Sequence, residues 1–355
     1  MSAIRIAVVG AGVIGQAHIR LIQNNPQLQL LAIADPAPAA QAVATQAQVP
    51  LYPTLQELLE KEKPDGVVLA SPNALHVPQA LQCLAAGLPI LLEKPIATSV
   101  AQGRELVAAA AAQQARVLIG HHRAHSPILA SARELIASGQ LGRLVAVMGS
   151  ATFCKPDQYF LDGPWRSQPG GGPIQINMIH EVHNLRILCG EIVAVQAFAS
   201  NAVRGFAVED TVSVNLRFAN GALGSFMLSD TAACARSWEQ TSQENKAYAS
   251  YADEDCYVIA GTMGSLSVPS MRLKCYRDEQ GRSWMKPFEQ SVLQLQRLDP
   301  LQLQMAHFGR VIRGEEPPLV NAQDGLRNLC VTEAIAQAAE TGLVVRLEDR
   351  TDGYA

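Results

Sequence analysis

Three glycines stand in the hexapeptide Gly10-Ala11-Gly12-Val13-Ile14-Gly15, directly after the strand-like run Ile4–Gly10 and at the start of a helical pattern. This spacing gives a tight turn, lets the backbone approach a pyrophosphate closely, and allows close helix–strand packing. The helix start, with Val13 and Ile14 in its first turn, adds unsatisfied N–H groups and a dipole that favours phosphate. Asp35 lies twenty residues beyond Gly15, at the end of the next strand-like run. A carboxylate there accepts hydrogen bonds from the adenosine ribose hydroxyls and repels a 2′-phosphate. No lysine or arginine follows it to receive such a phosphate, so the expected cofactor is NAD, with NADP disfavoured. The plainer reading of Asp35 is a turn acid before Pro36.

Other apolar runs end in polar groups in the same way. One runs into Ser71-Pro72-Asn73 and His76, the next (ILLEKPIA) into Glu93-Lys94-Pro95, and a third into His121-His122-Arg123. Ligands of open α/β sheets bind at the carboxyl ends of the strands, so these residues are expected to face one crevice. A second candidate set lies on the helical pattern Ile174–Cys189, where Asn177, His180 and Asn184 fall at helical spacing and share a face. His180-Glu181-Val182-His183 is one residue short of HExxH, and no further ligand cluster accompanies it, so no metal is expected.

The elements that must position these groups divide the chain in two. Strand-like runs at Ile4–Gly10, Gln29–Asp35, Gly66–Ala70, Leu88–Glu93 and Arg116–Gly120 alternate with helical stretches. Thr54 with Glu57 and Ser99 with Gln102 have capping-box spacing. Continuous apolar strands separated by helices predict a doubly wound parallel sheet of Rossmann type over residues 1–122. Residues 123–355 read as an α+β domain with a large, mostly antiparallel open sheet. Asn220-Gly221 predicts a two-residue hairpin, and helices near Gln302–Arg313 and Ala322–Thr341 are expected to close this second domain. The polar stretch Ser229–Asp255 reads as a long connecting loop.

Composition sets outer bounds. The 355 residues carry a net charge of −4 with 48% hydrophobic and 17% charged residues, ordinary values for a globular protein. No basic run points to nucleic acid, and no apolar stretch is long enough to cross a bilayer. A strand is expected almost at once, so no signal peptide is expected. Seven scattered cysteines without a CxxC pair do not suggest a disulfide framework, and the expected compartment is the cytoplasm.

The segments GAGVIGQAHIR, SPNALH, LLEKPIA, GHHRAHSP and PWRSQPGGGPIQINMIHEVHNLRILCG together resemble the Gfo/Idh/MocA family of oxidoreductases over nearly the whole chain. The resemblance implies NAD(P)-dependent oxidation or reduction of a sugar, cyclitol or related polyol, and the expected reaction is oxidation of a hydroxyl of a sugar, sugar acid or cyclitol. It also implies homodimers or homotetramers formed through the C-terminal sheet. Residue by residue, it makes Lys94 the active-site lysine and Pro95 an often cis proline. Asn73 and Glu93 fall near the nicotinamide and its ribose, with Ser71 and His76 beside them on the cofactor side. His180 becomes the acid–base histidine. The chemistry agrees, since a histidine with pKa near 6.5 exchanges a hydroxyl proton around neutral pH, and a lysine stabilises the developing alkoxide. Inositol-dehydrogenase-like members carry an aspartate four residues before that histidine; here the position is Ile176, with Asn177 beside it as a partial substitute. His183, Trp165, Arg166 and Arg123 are further substrate-contact candidates, the tryptophan and arginines being equally readable as structural anchors. A glycosidase using transient oxidation and a non-catalytic dinucleotide sensor are the rival readings.

Overall fold

The structure, a computed structural model, describes residues 2–347. The chain forms two compact units. The first is the chain up to Ala124 together with Pro300–Leu329, and the second is His125–Asp299 with the chain from Cys330 on.

The first unit alternates β1 (Ile4–Val9), α1 (Val13–Gln23), β2 (Leu28–Ala34), α2 (Ala40–Ala47), β3 (Leu51–Tyr52), α3 (Leu55–Lys61), β4 (Gly66–Leu69), α4 (His76–Ala85), β5 (Ile90–Leu92), α5 (Val100–Ala112) and β6 (Val117–Ile119). Its strands are parallel in the order β3-β2-β1-β4-β5-β6, so the strand order reverses between β1 and β4. Strand residues alternate between two buried layers, which is why the runs read as continuously apolar. Ala7, Val9, Val67, Leu69, Ile90 and Leu92 pack in one layer, while Ile4, Ile6, Val8, Val68, Leu91 and Leu118 pack in the other. The predicted caps form: Thr54 Oγ1 accepts from Glu57 N at 3.2 Å, and Ser99 Oγ from Gln102 N at 3.3 Å. The edge strand β3 is an addition to the five runs read from the sequence, being too short to show a period.

The second unit contains α6 (Pro127–Ala137), β7 (Leu144–Cys154), α7 (Asp157–Leu161), α8 (Ile179–Cys189), β8 (Ile192–Ser200), β9 (Thr211–Phe218), β10 (Leu223–Ser229), β11 (Thr231–Arg236), α9 (Trp238–Thr241), β12 (Tyr257–Gly261), β13 (Gly264–Val268), β14 (Arg272–Cys275) and β15 (Glu289–Val292). With β16 (Val345–Arg346) these strands make one sheet, ordered β15-β14-β13-β12-β7-β10-β9-β8-β16, with β11 also on β7. All of its pairings are antiparallel except β7 with β10. Inward residues Val212, Val214, Leu216 and Phe218 alternate with exposed ones along β9, as expected of a sheet with one covered face.

Five expectations need correction. α10 (Pro300–Arg313) belongs to the first unit, not the second, because its apolar face (Met305, Phe308, Val311) completes the layer of Ile4, Ile6 and Leu28. Arg116 Nη1 fastens its end by donating to the carbonyls of Val311 and Ile312, each at 3.0 Å. α11 (Ala322–Thr341) crosses the boundary, with residues up to Leu329 in the first unit. The β9–β10 hairpin has three loop residues rather than two. Phe218 N donates to Ala222 O at 2.9 Å, and only Gly221 has positive φ, at 88°, whereas a two-residue type I′ turn needs two such residues. The stretch Ser229–Asp255 is not a plain loop, since it holds β11 and α9. Finally, Ile174–Met178 is a π-turn, and the α-helix begins only at Ile179.

Candidate functional site

The glycine loop between β1 and α1 has the backbone that its composition demands. Gly10 sits at φ 94°, and a Cβ there would lie 2.4 Å from Ala70 O, at the reversal point of the sheet. A Cβ on Gly15 would lie 1.9 Å from Gly10 O, so that glycine lets helix meet loop. At Gly12 a Cβ would meet nothing within 4 Å. That open side, beside a helix whose Gly12 N-cap has no side-chain cap, is the approach a pyrophosphate requires. Val13 is exposed and Ile14 partly so, both in the first turn of α1. Asp35 lies at the end of β2, where Oδ2 accepts from Ala11 N at 2.7 Å and Oδ1 from Ala37 N at 2.8 Å. The carboxylate thus lashes its strand to the glycine loop, and its remaining lone pairs are left for ribose hydroxyls.

Glu93 is buried and has a partner that sequence reasoning missed. Its Oε1 is 2.8 Å from His18 Nε2 on α1, and its Oε2 accepts from the Lys94 N–H at 3.3 Å. Gly120 makes the space: a Cβ there would come within 2.8 Å of the Glu93 carboxyl carbon. Burial pushes the Glu93 pKa up, but the His18 hydrogen bond and charge, with Lys94 and His122, hold it below the ordinary value. A histidine three residues beyond a glycine motif, with a glutamate ending a later strand, is the only sequence signal for this pair. The Lys94–Pro95 peptide is cis.

His76 is not a surface group of the crevice. It is buried, with Nδ1 2.7 Å from Pro95 O and Nε2 3.0 Å from Ser71 O. It therefore ties the loop after β4 to the turn after β5. Burial lowers its pKa, with the two carbonyls and Glu93 acting in the opposite direction. Ser71 Oγ donates to Gln79 at 2.5 Å, while Asn73 is exposed in a short 3₁₀ turn. Arg123 is buried in the turn His122–His125.

In the second unit α8 is buried almost all round, and its polar residues do not make one exposed face. His180 is 8% exposed and His183 4%. Asn184 is fully buried, donating from Nδ2 to Tyr257 Oη at 2.9 Å, while the Tyr257 hydroxyl donates to Glu181. The π-turn changes the register ahead of His180 and turns Asn177 toward β7, where its Oδ1 accepts from Lys155 Nζ at 2.7 Å. Lys155 is also 3.4 Å from Asp230 Oδ2, and Arg204 Nε is 2.9 Å from Asp230 Oδ1. The ammonium lies 4.8 Å from the Tyr159 ring centre. Burial brings the Lys155 pKa down to about 8, with Asp230 opposing and Arg204 and Arg166 assisting. Glu209 Oε1 accepts from Ile174 N at 2.7 Å, which caps the π-turn, and burial raises its pKa. Arg166 stacks 3.9 Å over Tyr159 and donates to its carbonyl, so it anchors the loop, while Trp165 is half exposed.

Family models match both units: an oxidoreductase family with an NAD-binding Rossmann fold over residues 4–121, and the GFO/IDH/MocA C-terminal domain over residues 129–267. The chain belongs to the Gfo/Idh/MocA family of oxidoreductases. It is 30% identical over 191 residues to the rhizopine catabolism protein MocA of Rhizobium meliloti, which covers 54% of this chain and 59% of that protein. It is 25% identical over 367 residues to an inositol 2-dehydrogenase of Rubrobacter xylanophilus, covering 97% of this chain and 93% of the other. Among solved structures, the WlbA dehydrogenase from Bordetella pertussis in complex with NADH and UDP-GlcNAcA is similar at TM-score 0.77 and 25% identity, over 97% of this chain and 99% of that one.

This Gfo/Idh/MocA chain is therefore an NAD-binding oxidoreductase, and its glycine loop, open α1 terminus and Asp35 fit that cofactor. Among the described residues, no helix is long and apolar enough to cross a membrane. Lys155, Asp230, Arg204, Glu209 and His18 were absent from the sequence-derived candidates. Lys155 at the end of β7 carries the same strand-end signal that singled out Glu93 and Lys94 in the other sheet.

Proposed function

We propose that the protein is a dehydrogenase that oxidises a secondary hydroxyl of a sugar, sugar acid or cyclitol, with NAD as the hydride acceptor. The observation that carries this reading is the turn after β5, where the buried His18–Glu93 pair and His76 hold both sides of Lys94-Pro95 at the carboxyl edge of the cofactor sheet. A lysine whose backbone is fixed in that way, and which is half-buried, is suited to act as an electrostatic group. The relatives named for inositol oxidation and the WlbA complex with a sugar nucleotide support the polyol class. NAD supplies the hydride acceptor when bound; the protein binds, orients and moves a proton. His180 takes the hydroxyl proton, and the Lys94 ammonium stabilises the oxygen as negative charge develops on it. Asn177, His183 and Trp165 are the proposed contacts around the substrate, whereas Arg166, stacked on Tyr159, and the buried Arg123 take the anchoring role that the sequence also allowed.

The test is a polyol, sugar and sugar-acid screen with NAD and NADP in parallel, followed by NADH absorbance. Net NADH formation supports the dehydrogenase, whereas sugar release without it would point to a glycosidase. Because a 2′-phosphate would approach the Asp35 carboxylate, kcat/KM with NAD is expected to exceed that with NADP by roughly tenfold or more. Asp35→Ala should narrow the ratio, and an NADP preference in the unaltered protein would overturn that role. We further propose assembly of two or four chains through the second sheet. Met148, Leu223, Met227 and Phe198 stand exposed on one face of β7, β10 and β8. Light scattering is expected to give a dimer or tetramer mass, and Met227→Lys to shift it toward the monomer.

A further inference from the structure

Chemistry alone decides which way the Asn177 carboxamide points. The atom 2.7 Å from Lys155 Nζ accepts a hydrogen bond from an ammonium, which has three donors and no acceptor. While Lys155 is protonated, below about pH 8, that atom must therefore be the amide oxygen. Asp230, shared between Lys155 and Arg204, fixes the ammonium in turn. Glu209 fixes the π-turn that carries Asn177. The other edge of Asn177 is Nδ2, which has no protein acceptor among the described residues and is not one of the sealed, unpartnered buried atoms. Three residues on stands His180, at the start of α8. A ligand placed against this helix start meets a fixed donor. A hydroxyl can satisfy a donor or an acceptor, but a carboxylate or carbonyl oxygen can satisfy only a donor. With Ile176 in place of a carboxylate, the neighbouring position adds no acceptor.

We propose that Lys155 is a specificity-determining residue that acts through Asn177, locking its carboxamide as a donor and so selecting substrates with a carboxylate or carbonyl oxygen near the reacting hydroxyl over neutral polyols. The inference rests on the dehydrogenase reading above and deepens it to sugar acids. A hydrogen bond from the locked amide to a carboxylate is worth about tenfold to a hundredfold in affinity over the same site without it.

The experiment compares matched probes that differ in one group, D-gluconate against D-glucitol and D-glucuronate against D-glucose. Each is measured for NAD-linked turnover and for equilibrium binding to the protein with NAD present. The unaltered protein is expected to favour the acid of each pair by about tenfold or more, chiefly in KM. In Lys155→Met the freed carboxamide can turn its oxygen outward, and the acid-to-neutral ratio should fall by about tenfold. A purely structural role would lower both members of a pair together and leave the ratio unchanged. Asn177→Asp, with Lys155 retained, presents an acceptor and should favour the neutral member; it carries the test if Lys155→Met does not fold. Equal treatment of acids and polyols by the unaltered protein, or a ratio that neither variant moves, overturns the proposal. Binding that discriminates without turnover would keep it and remove the dehydrogenase reading instead.

Discussion

His180→Ala is expected to lower kcat by about 10²- to 10⁴-fold, the usual contribution of a positioned general acid or base. The binding of NAD to the first unit should stay unchanged. The size of the loss follows from how α8 is held. Glu181 and Asn184, on either side of the histidine, both engage the buried Tyr257, whose own strand is paired on two sides within the second sheet. Those contacts brace the helix that carries His180. Thermal unfolding and circular dichroism check that the helix survives, so that the kinetic loss reads as chemistry. On the proposed mechanism Lys94→Ala should produce a fall of similar order, because the charge assigned to stabilising the forming alkoxide is removed. If both groups act on one proton transfer, the double variant loses far less than the product of the single losses. Full turnover by Lys94→Ala with a good substrate would refute the assigned mechanism.

The parts of this molecule that were legible in the sequence are those decided by local chemistry. The glycine loop follows from Cβ clashes at Gly10 and Gly15, and the helix caps at Thr54 and Ser99 follow from spacing alone. The strands of the first sheet are buried on both faces, so their apolar runs are continuous and unmistakable. What was not legible depends on partners distant in sequence. The apolar stripe of α10 shows that the helix covers a sheet but not which sheet, and it covers the one formed by the opposite end of the chain. His18 reads as one more position on an amphipathic helix until β5 brings Glu93 to it. The π-turn at Ile174–Met178 is invisible to a periodicity of 3.6 residues, so the shared face read for Asn177, His180 and Asn184 dissolves. Asn177 goes to Lys155 and Asn184 to Tyr257. His76 has the type of a ligand-facing residue, yet two backbone carbonyls occupy its ring nitrogens. Polar residues at strand ends mark the region of a site; which of them face ligand and which brace the turns is settled by packing.

His18→Ala is expected to destabilise the protein by about 3–5 kcal/mol, measured by urea unfolding, because it leaves the Glu93 carboxylate buried without its counterpart. Both side chains of the pair are almost wholly out of solvent, so the carboxylate does not regain full hydration when the imidazole is lost. Glu93→Gln should cost less, since a neutral amide can still share a hydrogen bond with His18. The two variants also differ in their dependence on pH. The folded-state pKa of Glu93 lies below its unfolded value of 4.5, so the unfolded chain binds the proton first as pH falls. The contribution of the carboxylate is therefore complete above that value and is lost as pH drops from it through the folded pKa. Glu93→Gln removes this titration, and its stability should decline less steeply below about pH 4.5 than that of the unaltered protein. Parallel stability–pH curves for the two proteins would mean that the carboxylate is not held below its ordinary range by His18. The same pair also bears on activity, since Glu93 Oε2 receives the N–H of Lys94. A His18 variant that still folds should consequently lose turnover with little change in NAD affinity, because α1 keeps its glycine turn while the lysine loses its brace.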